Sequence, residues 1–136
     1  MEAWSHESFG NDDACDWASE LEEEDDLSLV EETLDVVLEA GDDDLEAPDA
    51  SEAIAAAEVV ARLLGRFGVR DGDTEGVDAW VEDTALRPSP ELVEKALRAL
   101  DRILTEPSEL LELWRESDDG AAWEGAVRDL KARVAG

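Results

Sequence analysis

Apolar residues recur at intervals of three and four along almost the whole chain, and this spacing is the strongest constraint on the fold. In the first such stretch, Ala14, Trp17, Ala18 and Leu21 follow the i, i+3, i+4, i+7 pattern that places side chains on one helix face. Asn11 precedes this stripe and is a preferred N-cap residue. Since no segment alternates apolar and polar residues convincingly enough to predict a strand, we expect an all-α protein.

Further apolar stripes with helical spacing follow, separated by short turn-forming segments. They comprise Leu27, Val30, Leu34, Val37 and Leu38; Val77, Trp80 and Val81; Val93, Ala96, Leu97, Leu100, Ile103 and Leu104; Leu110, Leu111 and Trp114; and Trp123, Val127, Leu130 and Val134. Together with an apolar segment over 50–64, they predict a single compact bundle of six or seven short helices spanning residues 1–136. The short loops favour antiparallel neighbours.

The segment over 50–64 is almost entirely apolar, and its polar exceptions are Ser51, Glu52, Glu58 and Arg62. A helix that is apolar on all sides is typical of the centre of a protein, and its many alanines allow neighbouring helices to approach closely. We therefore expect this helix to be central.

Cap residues and helix breakers predict the helix boundaries. Ser89 and Pro90 are typical of an N-cap and the first helical position, and Ser28 and Glu31 have the spacing of a capping box. The remaining boundary predictions are a stop at Gly41, a glycine-rich loop over 65–76, a helix end at Pro107, and Ser108 and Ser117 as caps of the last two helices.

The balance of charge excludes several classes of function. The chain has 39 acidic residues against 11 basic ones, a formal net charge of −28. This excludes a nucleic-acid binder that works through phosphate contacts, and it disfavours adhesion to an anionic membrane. A hydrophobic content of 43% is too high for a disordered acidic tail. No transmembrane run or signal-peptide layout is evident, so we expect a soluble, cytoplasmic protein.

The charge is also unevenly distributed along the chain. Residues 1–61 include 22 Asp and Glu but no Lys or Arg, and the first basic residue is Arg62. One domain can accommodate this asymmetry if the early helices form one side of it. We expect the apolar stripes to pack inward and the carboxylates to form a water-facing coat.

The first candidate site combines His6 with Asp12, Asp13 and Asp16. Carboxylates three and four residues apart on a helix can converge on a hard cation, and an imidazole could complete such a site. On the predicted helix, however, Asp12 and Asp16 point away from the apolar stripe. We therefore favour a helix start with a solvated face over a metal or catalytic role.

The second candidate is a partial match to the twelve-residue calcium loop over 71–82. Oxygen donors stand at positions 1, 3 and 5, a glycine at position 6 and a glutamate at position 12, namely Asp71, Asp73, Glu75, Gly76 and Glu82. Glu75 replaces the usual Asp or Asn, Asp78 stands where an apolar residue normally anchors the loop, and no second copy is present. We favour a surface loop and keep calcium binding as an alternative.

Other chemistry finds little support in the sequence. Cys15 is the single cysteine, which excludes an intramolecular disulfide and a Cys-based zinc site, and its neighbours Asp13 and Asp16 discourage thiolate formation. Phosphate-cradling loops, nucleophile elbows and dinucleotide-binding fingerprints are absent. We therefore predict no catalytic, cofactor-binding or metal-binding residue, no cofactor, and a protein that is not an enzyme.

The five tryptophans lie mostly at stripe positions, so we expect most of them to pack in the core. Trp4 and Phe9 precede the first helix. They either fold back onto the core, which we favour, or form an exposed anchor for a partner.

Four segments of the chain carry a family resemblance. They are the opening Trp4–Trp17, with its Phe9-Gly-Asn11-Asp12-Asp13-Ala14 segment, together with Leu45–Glu58, Ala96–Leu104 and Ser108–Trp114. These segments resemble an uncharacterised prokaryotic family, domain-of-unknown-function family 4259. The resemblance covers essentially the whole chain, although Glu2 and Ser5 stand where members usually have glycine. It implies a small helical domain and brings no established activity, cofactor or catalytic residue.

Three hypotheses account for the charge. The first is a non-enzymatic protein adapted to a high-salt cytoplasm, where concentrated salt screens the repulsion between carboxylates. The second is an acidic interaction module, inhibitor-like, immunity-like or a DNA mimic, that binds a basic protein partner. The third is a hydrolase or metal-dependent enzyme that uses the His6 and aspartate cluster or the loop over 71–82, or a metal-binding protein that uses this loop. The like charge opposes self-association in dilute buffer, yet an uncharged helix face could still pair, so the oligomeric state stays open.

Overall fold

Seven α-helices make up most of residues 12–68 and 74–136, the parts of the chain that the computed structural model describes. They are α1 (Asp12–Leu21), α2 (Ser28–Glu39), α3 (Ala47–Leu63), α4 (Glu75–Thr84), α5 (Pro90–Ile103), α6 (Glu109–Arg115) and α7 (Gly120–Ala135). The described residues form no strand, and an isolated parallel bridge joins Leu45 to Ser108. The prediction of an all-α bundle of six or seven helices is confirmed.

Helix α3 lies at the centre of the bundle, as its composition predicts. It packs against each of the other six helices. Its alanines, including Ala53, Ala56 and Ala57, are fully buried, and Val59 and Val60 are buried beside them. The small side chains allow this close approach from all sides, since a larger residue would push a neighbouring helix outward.

The remaining helices bury the stripes that their spacing predicts. Trp17 and Leu21 on α1, Leu34 on α2, and Trp123 and Leu130 on α7 are all 3% exposed or less. None of the described helices combines the length and the apolar character needed to cross a membrane.

On α5 the buried face is rotated from the predicted one. Leu92 and Ala99 are buried, whereas Val93 and Leu97 are half-buried. Helix α5 packs against α2, α3 and α7 together. Contact with three helices covers a wider arc than one apolar stripe, and small Ala99 fits where the helices come close.

Two predicted helix boundaries are confirmed in atomic detail. The Ser89 hydroxyl oxygen accepts a hydrogen bond from the Leu92 N–H at 3.1 Å, so Ser89 is the N-cap of α5 and Pro90 its first residue. Gly41 follows the end of α2 with a φ of +55°, a left-handed conformation that glycine adopts without strain.

Two predicted serine caps are wrong. Ser28 is the first residue of α2 instead of its cap, and Asp26 Oδ1 accepts the hydrogen bond from the Ser28 N–H at 3.0 Å. Ser117 closes the turn after α6, because its hydroxyl donates to the Trp114 carbonyl and accepts from the Asp119 N–H. Helix α7 begins at Gly120. In the first case Asp26, two residues before Ser28, competes for the same backbone turn.

The three other boundary predictions hold only in part. Helix α5 already ends at Ile103, ahead of the predicted end at Pro107. Ser108 immediately precedes α6, but its hydroxyl makes no capping hydrogen bond. The predicted loop over 65–76 ends early, because α4 begins at Glu75.

Candidate functional site

Two of the charged residues of α3 are buried within its apolar surface. Glu58 and Arg62 lie one turn apart and are only 3% and 2% exposed. Arg62 Nε donates to Glu58 Oε2 at 3.3 Å. Burying either charge alone is costly, so each requires charged partners from neighbouring helices.

Helix α4 supplies the second carboxylate. Asp78 is 6% exposed, and its Oδ1 accepts a hydrogen bond from Arg62 Nη1 at 2.5 Å. The Thr74 hydroxyl donates to Asp78 Oδ2 at 3.0 Å. The Arg62 guanidinium also lies over the Phe67 ring, 5.5 Å from its centroid, a distance typical of a cation–π contact.

Helix α7 supplies the second guanidinium, from Arg133. Its Nη1 and Nη2 donate to Glu58 Oε2 and Oε1 at 2.6 and 3.1 Å, the bidentate geometry that arginine forms with carboxylates. Partial burial lowers the pKa of Arg133, but the hydrogen bonds and charges of Glu58 and Asp129 outweigh it, so the pKa is raised overall. A β-carbon at position 68 would lie 2.8 Å from this guanidinium. Gly68, which has none, leaves this space to the Arg133 side chain.

We call Glu58, Arg62, Asp78 and Arg133 the buried charge cluster. Among the residues that the structure describes, it sets two carboxylates against two guanidiniums, and it joins α3, α4 and α7. The expectation that all carboxylates face water is therefore wrong for Glu58 and Asp78, because arginines from the same and from other helices neutralise them inside the protein. Guanidinium and hydroxyl donors engage the carboxylate oxygens, an arrangement suited to holding helices together.

The His6 and aspartate candidate lies partly outside the described residues. His6 and the side chain of Asp12 are outside them, whereas Asp16 is exposed and Asp13 is half-buried. Within the described part of the chain, no group of three or more His, Cys, Asp or Glu residues could hold a metal ion.

The calcium-loop candidate is interrupted by a helix. Asp71 and Asp73 lie outside the described residues, but Glu75 to Glu82 all belong to α4. A calcium loop needs a turn around the ion near its glycine, and here Gly76 lies in the first turn of a helix. Asp78 is directed at Arg62 and Thr74, whereas Glu75 and Glu82 are exposed.

Four tryptophans pack in the core, as predicted. Trp17 Nε1 donates to the Thr33 hydroxyl at 2.7 Å, and Trp80 Nε1 donates to the Glu24 carbonyl at 2.9 Å. The rings of Trp114 and Trp123 are stacked, with centroids 6.0 Å apart. Trp4 and Phe9 lie outside the described residues.

The outer surface is acidic on nearly every side. Exposed carboxylates lie on every described helix except α3, for example Asp16 on α1, Glu32 on α2, Glu82 on α4, Glu94 on α5, Glu112 on α6 and Asp129 on α7. A shallow groove of about 320 Å³ opens between the first turns of α2 and α5, lined by Asp26, Leu27, Ser28, Glu31, Arg87, Ser89 and Leu92.

Sequence reasoning missed the buried charge cluster, although part of its signal is visible. Glu58 and Arg62 stand four residues apart in an otherwise apolar helix, and a buried ion pair is one reason for such an interruption. Nothing in the sequence links them to Asp78 or to Arg133, which is 75 residues beyond Glu58.

Comparison with known proteins gives a family and no relative of known activity. No curated protein and no solved structure matches the chain. A family model described as a domain of unknown function (DUF4259) matches residues 2–126, which is most of the sequence. The all-α bundle described above is therefore the fold of a member of this family, and the chain belongs to DUF4259.

Proposed function

We propose that this chain is a non-enzymatic, cytoplasmic helical protein whose acidic surface is adapted to concentrated salt. The observation that carries the proposal is the spread of exposed carboxylates over six of the seven described helices. A binding face would need carboxylates gathered on one side, whereas adaptation to a solvent acts on all sides equally.

The use of the basic residues supports the same proposal. Arg62 and Arg133 neutralise buried carboxylates, Lys95 of α5 binds Asp35 of α2, and Arg102 donates to the backbone carbonyls of Gly41 and Asp43. These cations join one segment of the chain to another. The unpaired surface charge is therefore mostly negative, and concentrated salt shortens the range of its repulsion to about 3 Å at 1 M.

The chemistry of the buried charge cluster supports the non-enzymatic part of the proposal. An acid–base pair needs two titratable groups whose surroundings separate their pKa values, with room for a substrate between them. Glu58 and Asp78 instead each accept hydrogen bonds from arginine inside a packed interface.

The test is a pair of charge-removing variants measured over a range of KCl concentrations. Glu32 and Glu39 are exposed on α2 and form no salt bridge with any residue that the structure describes, whereas Glu106 and Glu124 pair with Arg115. We expect E32Q/E39Q to raise the urea midpoint in dilute buffer and to lose this gain near about 1 M KCl. The matched control E106Q/E124Q removes the same charge but also the two salt bridges to Arg115, so its urea midpoint in dilute buffer should rise less. An E32Q/E39Q variant without any gain in dilute buffer would refute the proposal.

The second candidate function is the binding of a basic protein, as an inhibitor-like or DNA-mimicking module. A specific observation favours it, namely the acidic segment over 20–26, which spans the end of α1 and most of the connection to α2 and which we call the acidic corner. Within the described residues, no Lys or Arg forms a salt bridge with its carboxylates, which are those of Glu20, Glu22, Glu23, Glu24, Asp25 and Asp26. Such a patch would accelerate encounter with a cationic partner.

A pull-down from native lysate at the organism's own ionic strength tests the second candidate. The bait variant E22Q/E23Q/D25N should lose a basic partner that the wild type and E106Q/E124Q both retain. If the same proteins are recovered with all three baits, binding through the acidic corner is rejected.

A further inference from the structure

We draw no further inference here: the strongest candidate, the shallow groove between the first turns of α2 and α5 lined by Arg87, Asp26 and Ser89, rests on two helix N-termini and exposed side chains of both charges, and nothing in the described residues shows what would occupy it.

Discussion

The carboxylates on the outer face of α2 and those of the buried charge cluster have the same chemistry in opposite surroundings. Glu32 and Glu39 are exposed to water, whereas Glu58 and Asp78 are at least 94% buried and bound by arginine. Most carboxylates of the described residues therefore belong to the solvent layer, and a few belong to the interior because cations reach them.

Salt should separate the two regions. Exposed charges interact through water, and mobile ions screen them beyond a few ångströms at high ionic strength. Buried pairs interact through a less polarisable medium from which salt ions are excluded. The contribution of surface charge to stability therefore changes with KCl, whereas that of the buried charge cluster stays nearly constant.

The largest expected effect is that of Arg62→Met. The substitution keeps the apolar stem but removes the guanidinium shared by Glu58 and Asp78, so both carboxylates lose a cationic hydrogen-bond donor. Breaking a buried ion pair from one side costs about 3–5 kcal/mol of unfolding free energy. Urea denaturation at low and high KCl should show a similar loss at both.

Arg98→Met is the matched control for this prediction. Arg98 is exposed on α5, so its loss should change the unfolding free energy by about 0.5 kcal/mol or less. Neutralising Asp78 with D78N should recover part of the loss caused by Arg62→Met, because Asp78 loses its bond to Arg62 whereas Glu58 keeps its bonds to Arg133. An additive loss in the double variant would contradict this explanation.

The next effect is that of Arg133→Met, which removes the bidentate partner of Glu58 on α7. Hydrogen bonds to charged groups contribute about 1.5–3 kcal/mol, and we expect a loss in this range because Arg62 still binds Glu58. Arg128→Met, an exposed arginine of the same helix, is the control. Equal losses in the two variants would show that Glu58 does not depend on α7.

A smaller effect is expected for Lys95→Met on the surface. Lys95 Nζ lies 2.8 Å from Asp35 and 3.5 Å from Glu31. The hydrogen bond to Asp35 raises the pKa of Lys95 and outweighs the lowering caused by slight burial. Because exposed pairs are screened, the loss should be about 1 kcal/mol or less and should vanish near 1 M KCl.

The pH dependence of the Lys95 pair follows from its raised pKa. The stabilisation is complete below the ordinary lysine value of 10.5 and is lost as the pH rises through the higher folded value. If Lys95→Met still lowered the unfolding free energy in molar KCl, the distinction between surface and buried charges would be contradicted.

The smallest effect is a gain from Glu52→Gln. Partial burial, followed by the charges of Asp49, Glu20 and Asp13, raises the pKa of Glu52 above 4.5. The folded state therefore disfavours its ionised form at neutral pH, and this cost disappears as the pH falls through the raised value and below 4.5. The variant should be more stable at neutral pH by about 0.5 kcal/mol or less, and the gain should shrink in acid.

Glu94→Gln on α5 is the control for Glu52→Gln, because it measures the effect of removing one exposed charge in general. A gain from Glu52→Gln that does not exceed that of the control at any pH would show that the neighbouring acids do not act on Glu52.

Helical periodicity was sufficient to predict the fold, because the information is local. The stripe from Trp123 to Val134 repeats at the helical period, and its members are buried as predicted. Ser89 was predictable as a cap for the same reason, since the following Pro90 restricts the same turn. The cap prediction failed where two candidate residues stand within three positions of each other, as Asp26 and Ser28 do. Sequence spacing alone does not show which of the two side chains binds the backbone N–H.

The buried charge cluster could not be predicted because its energetics are not local. An isolated Glu58 on α3 would be unstable in an apolar interior, and its burial depends on Arg133, which arrives only when α7 packs. Composition gives the number of carboxylates but not which of them meet a cation. The distinction between solvent layer and interior therefore required the three-dimensional structure.

The most direct test of the account is the unfolding free energy of the unmodified protein as a function of KCl, from dilute buffer to about 1 M. If the carboxylates are mainly a solvent layer, the urea midpoint should rise steadily with KCl as repulsion between them is screened. A protein that is fully folded and no less stable in dilute buffer than in molar KCl would contradict the account.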